Sequence, residues 1–145
     1  MTEAGRTEDA DTMTVRGEVE EPGATPGVWQ PPPRDECQEE QVYDSLLGEV
    51  GDILRIRLLL DLHDNLVDFA VVLMTGPVGG EREVARADIR HTGLHVHWFR
   101  QDSTELRREE IRPVRTQPQV QAAYIEAFDR MTEQWAEYKR RWRHG

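Results

Sequence analysis

Between Leu54 and Leu73 apolar and polar side chains alternate with a period of two, and after Pro113 the period lengthens to that of a helix. Leu54, Ile56, Leu58, Leu60 and Leu62 alternate with Arg55, Arg57, Leu59 and Asp61. Asp64-Asn65 is a turn signal, and Val67, Phe69, Val71 and Leu73 then resume the alternation. Read as a two-residue loop, Asp64-Asn65 sets Leu60 opposite Phe69 and Leu58 opposite Val71. One face of this hairpin is then apolar throughout, so a second layer must cover it.

Further strands follow. Gly76-Pro77 and Gly79-Gly80 end the second strand, and Glu83 to Ile89 forms a third with Ala85, Ala87 and Ile89 on one face. Thr92-Gly93 turns the chain into a fourth strand whose core face is Leu94, Val96 and Trp98. A weaker fifth strand runs through Glu105 to Val114. Thr116 and Pro118 then suit a helix start. Val120, Tyr124, Phe128, Met131, Trp135, Tyr138 and Trp142 make one stripe of an amphipathic helix, the expected lid of the sheet. Cations in the last turn, Lys139 to His144, complement the helix dipole. The expected fold is α+β, an antiparallel β-meander of four to five strands with a long C-terminal amphipathic helix packed on one face. Val42, Leu46 and Leu47 before Gly48 suggest a short helix over Glu39 to Gly48.

The segment before this pattern is different. Residues 1–50 hold 13 acidic and 3 basic side chains, whereas residues 51–145 hold 15 of each. The net charge of −10 therefore belongs to the leader, and the argument of an acidic chain against nucleic acid does not extend to the folded part. Residues 1–38 are expected as a disordered acidic tail and residues 39–145 as one domain. Trp29 is the tail's one large apolar group, read as a stray aromatic or as an anchor for a partner. Pro31-Pro32-Pro33 favours polyproline II. Cys37 is the single cysteine, which excludes a disulfide framework and a thiol cluster. The N-terminus lacks the apolar core of a secretory signal, and no apolar run is long enough to span a membrane. A cytoplasmic protein is expected. Its 17 arginines against one lysine point to a GC-rich bacterial genome.

The chemistry-bearing string is Arg86-Ala87-Asp88-Ile89-Arg90-His91-Thr92-Gly93-Leu94-His95-Val96-His97. Side chains two apart on a strand share a face, so Arg86 and Asp88 lie opposite the apolar set, as do His95 and His97. A pairing that joins the two apolar sets also joins the polar ones and puts Asp88 opposite His95 or His97. A carboxylate beside an imidazole can orient it and hold its tautomer. Arg86, with Arg55 and Arg57 on the same face, would contact a phosphate. This pattern fits acid–base cleavage of RNA, with His95 and His97 as the acid/base pair, Asp88 as orienter and His91 as an optional third group. Two other readings stand beside it: a metal held by His-x-His with Asp88 or His91, and an ordinary solvated sheet face. The site is assigned without metal or cofactor. No phosphate loop, CxxC pair, GxSxG elbow or dinucleotide fingerprint is present.

Arg86-Ala87-Asp88-Ile89-Arg90-His91-Thr92-Gly93 and Gln134-Trp135-Ala136-Glu137-Tyr138-Lys139-Arg140-Arg141-Trp142 resemble the two motifs of a family of small, uncharacterised bacterial domains. Those motifs are an Arg-x-Asp-x-x-His-Gly segment with a histidine on the next strand, and an Asn-Trp-x-x-Tyr-Arg-x-Arg-Phe-like helix end. The Arg/Asp/His string is also similar to that of TumE-type toxins of toxin–antitoxin systems, although Thr92 separates His91 from Gly93 and the toxins' paired histidines after a proline are missing. The resemblance implies a sheet-plus-helix protein of unknown or toxin-like function; joined to the acid–base reading of the residues, the expectation is a toxin–antitoxin or defence-associated protein acting on RNA, with RNA and a cognate antitoxin as partners. The alternative is a non-enzymatic interaction module that binds a protein through its acidic tail.

Overall fold

The computed structural model describes residues 29–48, 51–90 and 93–144. Six strands form one antiparallel meander in chain order: β1 (Gln41–Leu46), β2 (Ile53–Leu60), β3 (Leu66–Thr75), β4 (Arg82–Asp88), β5 (Gly93–Phe99) and β6 (Glu105–Pro113). One helix, α1 (Gln117–His144), follows and lies on one face, against β3, β4 and β5. The α+β class is as expected, with six strands in place of four to five.

The extra strand is β1, where the sequence suggests a helix. Spacing of Val42, Leu46 and Leu47 fits a helical turn, but β2 would otherwise present a bare edge of backbone groups. Gln41 to Leu46 pairs with that edge, Gln41 opposite Leu58 through Leu46 opposite Ile53. Long-range pairing outweighs a weak local pattern here. Because β1 is an edge strand, Val42, Tyr43 and Leu46 stay exposed.

The β2–β3 hairpin also differs from the expected register. Leu58, not Leu60, faces Phe69, and Ile56 faces Val71. The loop is longer than two residues: Asp61 accepts from the backbone N–H groups of His63 and Asn65, Asp64 takes a positive φ of 67°, and a bulge separates Leu59 from Leu60. A slip of two residues leaves every side chain on its own face, so the apolar surface survives the change.

That surface is the core. Leu54, Ile56, Phe69, Val71, Leu73, Ala85, Ala87, Leu94 and Val96 from the strands meet Val120, Ala123, Ala127, Met131, Tyr138 and Trp142 from α1. Ala123 and Ala127 allow α1 to approach closely, and the larger stripe residues Tyr124, Phe128 and Trp135 flank them. The helix starts where Thr116 accepts from Gln119 and Val120, while the Gln119 side chain accepts from the Arg115 N–H at 2.7 Å. Lys139 departs from its expected role. It is buried, and its ammonium donates to Asp52 at 2.8 Å, while Thr75 donates to the other Asp52 oxygen at 2.6 Å.

Trp29 is neither stray nor free to anchor a partner. Its indole N–H donates to the Val67 carbonyl at 2.8 Å, its backbone N–H to Val114 at 3.0 Å, and its ring packs on the core. Pro33 has polyproline II dihedrals, a 3-10 turn covers Arg34–Glu36, and Cys37 bridges to Asp61. Of the tail expected over residues 1–38, residues 1–28 lie outside the described residues. Among the described residues no helix is long and apolar enough to cross a membrane.

Candidate functional site

Among the described residues no second helix lies over the face opposite α1, and strand pairing fixes its side chains in rows. One row runs Val42, Arg57, Ala70, Asp88, His95, Glu110. The next runs Asp44, Arg55, Val72, Arg86, His97, Arg108. Directly paired residues in neighbouring antiparallel strands hold their Cβ atoms about 4.5–5.5 Å apart, so each row is a line of contacts. Of the two registers open to the sequence, the structure takes the one with Asp88 opposite His95.

Asp88 and His95 are each 2% exposed, unusual for polar groups on the uncovered side of a sheet. The contact that reaches solvent is with His97. Its Nε2 lies 3.4 Å from Asp88 Oδ1, and its Nδ1 lies 2.8 Å from Glu105 Oε1. A neutral ring donates to one of these carboxylates at a time, and a doubly protonated ring donates to both. The His97 ring stacks on Phe99 at 6.4 Å, with Arg86 over the far ring at 5.9 Å. His95 has a looser environment. Its Nε2 is 3.9 Å from Glu110, its Nδ1 has no hydrogen-bond partner, and its burial holds the imidazole below its ordinary pKa against the pull of Asp88.

Beside Asp88 the face dips into a depression of about 220 Å³. Arg34, Arg57, Arg86 and Arg90 line it together with Glu40, Asp68, Glu83 and Asp88. Asp68 stands out among them, because burial pushes its carboxyl above the usual range despite a bond from the Phe69 N–H and the nearby Arg90. The three arginines expected as phosphate contacts are already paired. Arg55 forks onto Asp44 at 2.8 and 3.0 Å, Arg86 holds Glu83 at 2.6 Å, and Arg57 lies 3.7 Å from Glu40.

Asp88, His95, His97 and Arg86 thus share one surface, with Arg57 across the depression and Arg55 on the same strand as Arg57 in the next row. His91 lies outside the described residues. Among the described residues no three metal-ligating side chains converge. Asp68 and Glu105 are the additions that sequence reasoning passed over. Asp68 carried a signal, a lone acid within the apolar run of β3. Glu105 carried none, since only the β5–β6 pairing brings it to His97.

A family model described as a domain of unknown function, DUF7718, matches residues 37–145. No curated protein and no solved structure matches the chain.

Proposed function

Since the chain belongs to the DUF7718 family, whose function is unassigned, we propose a function from the chemistry of the open face: cleavage of RNA by acid–base catalysis, in a cytoplasmic toxin–antitoxin or defence-associated protein. The observation that carries this reading is His97, held between the buried Asp88 and Glu105 beside the arginine-lined depression. The exposed Glu105 side chain swings off Nδ1, which then takes the 2′-hydroxyl proton while Nε2–H donates to Asp88 and fixes the ring. The His97 imidazolium so formed then returns that proton to the leaving 5′-oxygen. Arg57, Arg86 and Arg90 exchange their carboxylate neighbours for the phosphate. His95 is enclosed and acts as a positioning residue behind Asp88.

The test is cleavage of single-stranded RNA by the purified full chain in EDTA, with growth arrest on expression as the cellular readout. His97→Ala is expected to lower the rate by about 100-fold or more, the usual share of a general base. Equal rates for wild type and His97→Ala end this reading.

A second reading draws on the paired arginines. With Arg55, Arg57 and Arg86 matched to Asp44, Glu40 and Glu83, the face is electrically balanced, as in an interaction module whose acidic leader meets a protein partner. Removing residues 1–28 separates the two: a module loses its partner, and an enzyme continues to turn over.

A further inference from the structure

At the end of the sheet where β4 begins, cations gather that no carboxylate balances. Arg82, Arg100, Arg107, Arg108 and Arg143 form no ion pair among the described residues, in contrast to Arg55, Arg57 and Arg86. Two of them are stiffened by indoles. Arg82 lies over Trp142 at 5.1 Å, and Arg107 lies over Trp98 at 5.0 Å with Arg141 on the same ring at 4.3 Å. Short bonds tie the neighbourhood together: Arg82 Nη1 donates to the Gln101 carbonyl at 2.9 Å, and Gln101 Nε2 donates to the Arg143 carbonyl at 3.2 Å. Arg107 and Arg108 are successive residues of the edge strand β6, so one guanidinium faces α1 and the next faces the open side. There Arg108 is the direct cross-strand partner of His97.

The nearby acids are engaged elsewhere. Glu137 is clasped by Arg140 and Arg141, which pull its carboxyl down to about 2. Glu109 lies 3.7 Å from Arg130, Glu105 meets His97, and Asp102 closes onto Thr104. A belt of exposed guanidinium groups therefore runs from the last turn of α1, past the β5–β6 hairpin, around the β6 edge to His97.

We propose that this belt binds the phosphodiester backbone of single-stranded RNA and delivers it to His97. The inference rests on the reading of the open face as an RNA-cleaving site and adds where the substrate runs. The planar guanidinium fork matches phosphate oxygens in pairs. Passage around a strand edge within the width of one domain suits a pliable single strand; a duplex is stiff over about 150 base pairs and does not follow that turn. The belt also ends at the candidate general base, His97, which a docking surface for an acidic protein has no reason to do.

The experiment measures anisotropy of a labelled single-stranded oligoribonucleotide with the full chain carrying His97→Ala, so that the probe survives. Arg82→Gln/Arg107→Gln/Arg108→Gln in that background is expected to bind at least tenfold more weakly. Its slope of log affinity against log salt should be shallower by about 2, from about 0.7 for each lost contact to a single strand. Arg115→Gln, beyond the other end of β6, serves as control and should change affinity less than twofold, and Arg107→Lys, which keeps the charge but loses the fork and the stacking, should weaken binding less than Arg107→Gln. No binding by the parent chain, or unchanged affinity in a triple variant that melts like its parent, overturns the belt. Equal competition by polyglutamate or by duplex RNA overturns its assignment to single strands. Cleavage by wild type that survives the triple change leaves the catalytic reading standing without the belt. Binding that depends on the belt without any cleavage leaves the belt standing without the catalytic reading.

Discussion

His95 shows how one buried titratable group couples the site to acidity. In the folded chain burial disfavours the imidazolium, while the unfolded chain takes the proton near its ordinary value of about 6.5. Below that value the unfolded state binds a proton that the folded state resists, so this residue removes stability as pH falls and restores it as pH rises toward neutrality. Asp68 has the opposite sign. Its raised carboxyl lets the folded state hold the proton longer, which favours folding at acid pH and withdraws that support as pH rises through its folded value. His95→Gln should therefore lose less stability between pH 7.5 and pH 5 than wild type, as read by urea denaturation at both. An equal loss in the two proteins would show that the ring is not resisting protonation.

At the scale of elements, the sheet and the helix are joined by more than apolar contact. Asp52 precedes β2, Thr75 ends β3, and Lys139 belongs to the last third of α1; the three meet in a site where Asp52 is 0% exposed. Lys139→Met leaves that carboxylate with the Thr75 hydroxyl and should cost about 3–5 kcal/mol, the usual penalty for orphaning a buried charge. Asp52→Asn/Lys139→Met should recover part of the loss, because the uncompensated charge is gone. Chemical denaturation of both variants decides the point, and a single change costing under about 1 kcal/mol contradicts it. The sequence placed Lys139 in a basic helix end because a helix terminus explains cations locally. Its partner lies 87 residues away, and no local pattern announces it. For the same reason Gln41 to Leu46 reads as a helical turn in isolation and becomes a strand beside β2.

At the scale of the whole molecule, the segment before the meander acts as a strap. Trp29 fastens β3 and the end of β6 through two backbone carbonyls and fills a margin of the core. A chain of residues 29–145 keeps every described contact and should melt with the full protein. A chain of residues 37–145, the extent of the family match, lacks the indole and should melt about 4 °C lower or more, if the strap contributes about 1 kcal/mol. Differential scanning calorimetry separates them, and coincident transitions for the two truncations would show the strap to be ornamental. Arg34 of this strap lines the depression on the open face, so only the 29–145 chain leaves the site intact, and the 37–145 chain tests melting alone.

The amino-acid order alone determined the α+β class, five of the six strands, the C-terminal helix and the side of the sheet on which Asp88, His95, His97 and Arg86 stand. All of these follow from periodicity, which the backbone enforces through neighbouring residues. The tertiary structure decided which histidine reaches solvent, that Glu105 and Asp88 share it, that Arg55, Arg57 and Arg86 are paired while the belt is not, and that Trp29 and Lys139 belong to the core. Those properties depend on enclosure and on partners distant in sequence, and a side chain's position along the chain carries neither.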